Sequence, residues 1–393
     1  MFKYFTGRIS QGFFAIYSMR ALLRVSTALI GLFLPIFLYE LFDFKLQYVI
    51  YYYLAGSLLY SLPIAWGARH LNQIGLKRSI RVSVVLGALY YVCFYVLGLA
   101  NSSNKIEIMA LLILSLVFIT LHRILHWVPV HTDIAKFTNK LNRARQISLM
   151  EVTAHIAHAT MPIVAGWILL FYSYDILFFI AIILYLSSLI PLAHLPRTKE
   201  RFSWAYLETW KEFFSKKRRK VVLAYLSDGA EAVVGLVIWP IFIWKLLHGN
   251  YFEVGVISSA IVVVTIFLQL AIGKLIDKKN KKKMLKWGTA MYAVGWVIKI
   301  FIASAFQIFV ASTFHSLMRV FSRTSFDAIT YENAASEGHY VDEYTVIHEM
   351  AIYLGKALML CLILILIKFF SIEWTFLLAA IASLAMNFVS HEK

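Results

Sequence analysis

A few ionisable side chains lie inside long apolar stretches of this sequence, and these are the groups that could do chemistry. Glu231, Lys356 and His158 each lie roughly 14–15 Å from the inner end of a predicted helix, near the middle of a bilayer core about 30 Å thick. Asp228 lies one helical turn from Glu231. Charged groups at this depth are costly and usually face a partner or a water-filled cavity. The pattern therefore indicates a binding or ion-coupling site inside a membrane.

Glu231 and Lys356 could form an exchange site at which a proton and a substrate compete. Burial favours the neutral form of an ionisable group, so a carboxyl and an amine that share a cavity can take up and release protons. A static ion pair that holds two helices together is the alternative. Loss of gradient-driven transport on replacing Glu231 would distinguish the two.

Four histidines and a glutamate form a second group on neighbouring predicted helices. His122 and His126 share one helix, and Glu151, His155 and His158 follow at i, i+4, i+7 spacing on the next, which places them on one face. Neutral imidazole binds Zn, Fe, Ni or Cu, so a divalent-metal transporter is one hypothesis. No cysteine joins the group. A proton relay, or hydrogen bonding within the helix bundle, is the alternative.

Sequence motifs of enzymes are not found. The sequence contains no Gly-rich phosphate loop, no G-x-S-x-G elbow and no extramembrane stretch long enough for nucleotide hydrolysis. Its two cysteines, Cys93 and Cys361, both lie in apolar runs, which excludes a disulfide scaffold or a thiolate cage. We predict a protein that is not an enzyme, holds no cofactor and draws energy from an ion gradient or from the gradient of its substrate.

The composition requires a membrane protein. Of the 393 residues, 61% are hydrophobic and 15% are charged, and the mean hydropathy is +0.73. A soluble protein is about 45–50% apolar and about 25% charged, and a compact soluble fold cannot bury this much apolar surface. The net charge of +17 comes from short basic clusters between apolar runs. Such clusters are typical of loops beside membrane helices rather than of a nucleic-acid interface.

Hydropathy predicts an all-α membrane protein with twelve transmembrane helices in two six-helix bundles. The predicted spans are residues 21–41, 47–66, 80–100, 106–128, 149–172, 176–195, 221–246, 252–276, 284–303, 306–321, 346–369 and 374–389. We predict an N-terminal bundle at 1–195, a cytoplasmic linker at 196–220 and a C-terminal bundle at 221–393.

The positions of the basic residues predict the orientation of the chain. With both termini in the cytoplasm, most Lys and Arg fall in the N-terminal segment and the internal loops. The basic residues left in the external loops are then Lys45, Lys105, Lys245 and Lys368. We therefore predict a multi-pass protein with both termini in the cytoplasm.

The two halves of the sequence repeat each other. Residues 31–41 (GLFLPIFLYEL) and 235–246 (GLVIWPIFIWKL) fall late in the first span of each half, and Pro35 and Pro240 predict a kink in both. The eleventh span also repeats the polar i, i+4, i+7 spacing of the fifth, beginning at Glu349. A parallel duplication of this kind is typical of a two-bundle transporter with pseudo-two-fold symmetry.

On these features the whole chain resembles the major facilitator superfamily. Residues 273–282 (GKLIDKKNKK) are similar to the family's loop signature G-x-x-x-D-R/K-x-G-R/K-R/K, and 68–77 (ARHLNQIGLK) are a weaker copy with Asn72 in place of the acid. In the family this loop latches the cytoplasmic ends of neighbouring helices. The resemblance thus implies a cytoplasmic gate. We expect Glu151 and Glu349, two carboxylates near the starts of their helices, to belong to it as well. The gate residues are Gly273, Asp277, Lys278, Gly75, Glu151 and Glu349.

The resemblance also implies a central cavity, because in the family spans one, four, seven and ten surround one, with spans two, five, eight and eleven beside them. Arg123, followed three residues later by His126, is similar to a family pattern in which an intramembrane Arg precedes Gln. The residues expected in a substrate and proton cavity are Glu231, Lys356, Asp228, Arg123, His158, His155, Arg24 and His315. We expect Arg319 and Lys299 to reach the membrane surface.

The sequence as a whole predicts a secondary active transporter that moves a small solute by alternating access. Proton coupling is expected, and residues 157–166 are weakly similar to a run found in proton-coupled exporters of the family. The alternatives are the metal transporter and a transport-dead membrane sensor on the same scaffold. The expected partners are a small-molecule substrate, H+ and the lipid bilayer but no nucleic acid, and we expect a functional monomer in a prokaryotic plasma membrane.

Overall fold

The computed structural model describes residues 10–99, 104–138, 143–196, 204–276, 281–336 and 341–391, whose regular structure is helical. In the first half the helices are α1 (Gln11–Gly31), α2 (Leu34–Leu41), α3 (Leu46–Ser61), α4 (Ile64–Ile74), α5 (Leu76–Leu99), α6 (Lys105–Phe137), α7 (Arg143–Phe171), α8 (Tyr174–Ser187) and α9 (Leu189–Ala193). In the second half they are α10 (Tyr206–Phe213), α11 (Arg219–Val233), α12 (Trp239–Leu246), α13 (Tyr251–Ile276), α14 (Lys281–Lys299), α15 (Ala305–Ser336), α16 (Val341–Leu366) and α17 (Thr375–Ala385).

Nine helical segments of the described chain are long and apolar enough to cross a membrane. They correspond to nine of the twelve predicted spans. The others are 47–66, 284–303 and 306–321, which stay predictions. The first is divided between α3 and α4, whereas the last lies inside α15, which continues to Ser336. The helix that contains the tenth predicted span therefore extends 15 residues beyond it, through a stretch with more polar residues.

The α-helix is interrupted just before Pro35 and before Pro240, the two positions at which a kink was predicted. α1 ends at Gly31, and α2 starts again at Leu34 with Pro35 in its first turn. In the repeat, α11 passes into a π-helical turn, Val234–Ile238, before α12 begins with Pro240 in its first turn. Proline has no N–H and its ring clashes with the preceding turn, so the helix is interrupted where Pro occurs. A π turn of this kind frequently marks a functional site.

The chain forms two compact units. Unit 1 comprises Met1–Gly31 and Pro63–Trp204, and unit 2 comprises Leu32–Leu62 and Ala205–Lys393. The segment Leu32–Leu62 groups with the second half because α3 packs along α16 and α2 contacts α12. The predicted division into bundles at 1–195 and 221–393 stays a prediction.

In unit 2, α11 and α16 cross at a pair of glycines. A Cβ at Gly229 would lie 1.9 Å from the carbonyl oxygen of Ile352, and a Cβ at Gly355 would lie 1.9 Å from that of Leu226. Small residues let membrane helices approach until their backbones touch. The crossing fixes the distance between the helix that carries Glu231 and the one that carries Lys356.

Candidate functional site

The two acids of α11 are both buried but have different partners. Asp228 is 4% exposed and accepts a hydrogen bond of 2.6 Å from Nη1 of Arg323. Glu231 is 3% exposed, and its Oε1 accepts a hydrogen bond of 2.5 Å from the hydroxyl of Tyr292. Asp228 is thus neutralised by an ion pair, whereas the direct partner of Glu231 is a neutral phenol. Because a phenol brings no charge, proton uptake at Glu231 need not break an ion pair.

Arg323 joins two acids. Its Nε lies 2.9 Å from Oδ1 of Asp327, one turn further along α15, while its Nη1 binds Asp228. This arrangement favours a structural role for Asp228, which the sequence reading placed in the cavity. Arg323 was missed because the predicted tenth span ended at residue 321. The four-residue spacing of Arg319, Arg323 and Asp327 could have identified this helix face.

The pairing of Glu231 with Lys356 that the sequence suggested is wrong in this structure. Glu231 bonds to Tyr292, and the ammonium of Lys356 lies 3.9 Å from the ring centroid of Tyr353. No ion pair links Glu231 and Lys356, both of which belong to the described part of the chain. Lys356 is half-buried. A cation over an aromatic face is held by the ring quadrupole, so Tyr353 orients the ammonium without neutralising it.

A buried lysine and histidine lie next to the Glu231 pair. Lys299 is 2% exposed; its Nζ is 3.2 Å from Nδ1 of His315 and 3.9 and 4.3 Å from the ring centroids of Trp239 and Trp296. The expectation that Lys299 reaches the membrane surface is therefore wrong. Two tryptophan faces and an imidazole solvate the ammonium in place of water.

Tyr292 connects these groups. Its ring stacks on that of His315 at a centroid distance of 4.4 Å, while its hydroxyl binds Glu231. Glu231, Tyr292, His315 and Lys299 thus form one continuous buried cluster, which we call the polar cluster. His315 is 6% exposed, so it is buried between the helices of unit 2. The sequence identified Glu231 and His315 as candidates but missed Tyr292 and Lys299.

The expectation that Arg319 reaches the membrane surface stays a prediction. In the structure Arg319 is exposed and interacts electrostatically with Glu231, Asp228 and Tyr292. It therefore adds a positive charge beside the polar cluster. It lies near the middle of the 32-residue helix α15 rather than at a helix end.

The four histidines proposed as metal ligands lie in unit 1, and in the described chain they do not form a metal site. His122 donates a hydrogen bond of 2.6 Å from Nδ1 to the carbonyl of Ser83, and its Nε2 accepts one of 3.0 Å from the hydroxyl of Tyr185. His126 Nδ1 is 3.0 Å from Oγ of Ser83. Both histidines thus join α6 to its neighbours in the core.

His155 and His158, by contrast, are exposed on α7. Among the described residues no group of three or more His, Cys, Asp or Glu could hold a metal ion. The metal-transporter hypothesis, which needed His122, His126, His155 and His158 together, is therefore not supported. Helical spacing places residues on one face of their own helix, but it does not fix which faces of two helices meet.

The two arginines predicted for the cavity lie in unit 1. Arg24 and Arg123 are both half-buried. Arg24 lines a small cavity of about 10 Å³ with Tyr17, Arg20, Met150 and Thr153. The hydroxyls of Tyr17 and Thr153 are 2.9 Å apart and join α1 to α7 there.

The predicted gate residues are only partly described. Gly75 connects α4 and α5 with φ +80°, a left-handed conformation that glycine adopts without strain. Gly273 lies in α13, while Asp277 and Lys278 lie outside the described residues. Glu151 is exposed on α7, and Glu349 accepts a hydrogen bond of 3.2 Å from the hydroxyl of Tyr60. The gating roles stay predictions.

Known proteins share the sequence pattern of the second half and the fold of the whole chain. Residues 221–389 match the family model of the Major Facilitator Superfamily. The crystal structure of a D-xylose-proton symporter is similar, with a TM-score of 0.71, 13% identity and 97% coverage of each chain. A crystal structure of peptide transporter POT in complex with sulfate has a TM-score of 0.69 and 11% identity, and covers 96% of this chain and 93% of that one. No curated protein sequence matches the chain.

The class of the protein follows from these observations. The described chain is helical, with nine helical segments long and apolar enough to cross a membrane, and it has the same fold as these two transporters. Residues 221–389 carry the sequence pattern of the Major Facilitator Superfamily.

Proposed function

We propose that the protein is a proton-coupled secondary active transporter, which moves a small solute by alternating access, and that Glu231 carries the coupling proton. The proposal includes a prokaryotic plasma membrane, both termini in the cytoplasm, and two six-helix bundles joined by the linker 196–220. The observation that carries the proposal is the buried hydrogen bond between Glu231 and Tyr292. The D-xylose-proton symporter with the same fold supports proton coupling by analogy only.

The Glu231–Tyr292 pair can accept a proton at low structural cost. An ionised carboxylate accepts the hydrogen bond of the phenol, and a protonated carboxyl can donate to the same oxygen or keep the bond on its other oxygen. The exchange changes the charge of the site but leaves its partner in place. By comparison, protonation of Asp228 would break the ion pair with Arg323, because a neutral carboxyl no longer balances the guanidinium.

Glu231 is also placed where its charge can affect the backbone. It lies two residues beyond the Gly229 contact with α16 and three residues before the π turn Val234–Ile238. A helix bends most easily where its regular hydrogen bonds are interrupted. Protonation of Glu231 therefore changes the charge between the Gly229 crossing and the π turn Val234–Ile238. We propose that this change of charge bends the helix at the π turn during alternating access.

The proposal is tested with the purified full-length chain in liposomes. The vesicles are exposed to a defined mixture of sugars, amino acids, dipeptides, carboxylic acids, phosphate esters and quaternary amines under a pH gradient of either polarity. Mass spectrometry of the vesicle contents then identifies what has moved. We expect at least one compound to accumulate with the wild type and to equilibrate when a protonophore is added.

Glu231→Gln is expected to abolish the gradient-driven accumulation while exchange of the same compound across the membrane continues. Glu253→Gln is the matched control, since Glu253 is exposed in the first turn of α13. Unchanged accumulation by Glu231→Gln would contradict the coupling role. No gradient-dependent movement of any compound by the wild type would contradict secondary transport.

A further inference from the structure

A groove on the surface of unit 1 lies between the first turns of α5 and the beginning of α9. It has a volume of about 520 Å³ and is lined by Arg81, Val82, Val85, Leu86 and Leu189. This volume is in the range of about 300–1,000 Å³ that is typical of pockets for small organic molecules. Val82 and Val85 are each 42% exposed, so the groove is open at the surface. Its aliphatic lining favours a hydrocarbon chain over a polar solute.

Two cations of α5 connect its first turns to the end of α9. Nζ of Lys77 donates a hydrogen bond of 3.0 Å to the carbonyl of Ala193, and Nη2 of Arg81 donates one of 3.4 Å to the carbonyl of Leu192. The last carbonyls of a helix have no partner within the helix, so these bonds satisfy them. The two walls of the groove are therefore held together by direct hydrogen bonds.

The positive charge at one end of the groove is not balanced by acids. The carbonyl of Leu192 is neutral, and its bond uses one of the five N–H donors of the Arg81 guanidinium. Arg78 lies three residues before Arg81 on the same side of α5 and is exposed. Neither arginine forms an ion pair with an acid of the described chain, and residues 44–106 include no Asp or Glu. This end of the groove therefore favours an anionic group.

The charged and apolar parts of the groove lie at the depths of the two parts of a phospholipid. α5 is a candidate membrane span of 24 residues, about 36 Å long, so its ends extend beyond a hydrocarbon core about 30 Å thick. Arg81 lies about 7.5 Å from the start of α5, and a side chain of its length extends to the headgroup level. Val85 lies about 6 Å deeper, within the hydrocarbon. Basic pockets between membrane helices are suited to the headgroups of anionic lipids.

We propose that this groove binds one anionic phospholipid of the surrounding bilayer. An acyl chain lies along Val82, Val85 and Leu189. The phosphate contacts Arg81, whose planar fork of N–H donors matches phosphate oxygens, and Arg78 adds to the positive potential. A zwitterionic lipid fits the apolar part equally well, but the arginines repel its cationic group. The site uses none of the residues to which the transport function is assigned, so the two proposals can fail independently.

The test is native mass spectrometry of the purified full-length protein in detergent. Phosphatidylglycerol and phosphatidylcholine with identical acyl chains are added at equal concentrations. We expect one phosphatidylglycerol to bind the wild type with an affinity roughly 10-fold above that of phosphatidylcholine. Equal occupancy by the two lipids would overturn the proposal. Glycerol 3-phosphate at the same concentration should leave the lipid bound, and displacement by it would indicate a site for free phosphate instead.

Three variants then locate the site. Arg78→Gln and Arg81→Gln are each expected to lower the affinity for phosphatidylglycerol roughly 5-fold, and Val85→Trp should block the apolar part and weaken the binding of both lipids. Arg78→Gln is the variant that spares the hydrogen bonds between α5 and α9. Lys105→Gln is the matched control, since Lys105 is exposed at the start of α6, beyond the far end of α5. If all three variants bind phosphatidylglycerol as the wild type does, the lipid does not occupy this groove.

Discussion

The glycine crossing of α11 and α16 gives a sharp prediction about stability. In Gly355→Ala the new Cβ would lie 1.9 Å from the carbonyl oxygen of Leu226, whereas such atoms are not found closer than 3.0 Å. The helices must therefore separate by at least 1.1 Å, the difference between these two distances, and backbone cannot yield as a flexible side chain does. Overpacking of a core costs about 1–3 kcal/mol, and we expect the upper end of that range.

The measurement is the thermal unfolding of the purified protein in one detergent, followed by tryptophan fluorescence. Gly355→Ala and Gly229→Ala should both lower Tm clearly. Gly31→Ala should leave Tm nearly unchanged, because nothing lies within 4 Å of the Cβ position, and Gly235→Ala should too, because its nearest atom is 3.8 Å away. The reasoning is refuted if the crossing variants unfold at the wild-type temperature, or if all four variants lose stability equally.

Two further predictions follow from the pairs of the described chain. Asp228→Asn should destabilise the protein by about 1–2 kcal/mol, because it removes the buried one of the two carboxylates that bind Arg323. In a double-mutant cycle, the double variant with Arg323→Gln should recover part of the loss, and additive losses would contradict a direct interaction between Asp228 and Arg323. His122→Ala should lower Tm because it removes two buried hydrogen bonds. His155→Ala, at an exposed position, should leave Tm unchanged. Added Zn²⁺ should raise the Tm of neither the wild type nor the two variants. Stabilisation by zinc would restore the metal hypothesis.

Much of the fold could be predicted from the sequence because hydropathy and proline act locally. A run of about 20 apolar residues can satisfy its backbone hydrogen bonds in a bilayer by forming a helix, so the nine long apolar helical segments of the described residues follow from the sequence. Pro35 and Pro240 interrupt their helices whatever surrounds them. Where polar residues continue a helix, as in α15, hydropathy does not show where the helix ends.

The candidate site could be predicted only in part. Glu231 was predicted to lie in a cavity, and the structure shows that it is buried in unit 2, while its cavity role stays a prediction. The partner of Glu231 was not predicted, because a partner on another helix depends on how the two helices are rotated about their axes. Lys299 shows the same limit. Its place near the end of α14 suggested the membrane surface, but the neighbouring tryptophans bury it.

By itself the sequence determined that this is a helical membrane protein and where two of its helices are interrupted, since both depend on residues close together in the chain. Only the tertiary structure decided that Glu231 bonds to Tyr292, that Arg323 neutralises Asp228 and that His122 and His126 belong to the core. Those outcomes depend on which faces of two helices are in contact. At Gly229, for example, the absence of a side chain allows α11 to contact the backbone of α16. Periodicity along a single helix carries no information about that contact.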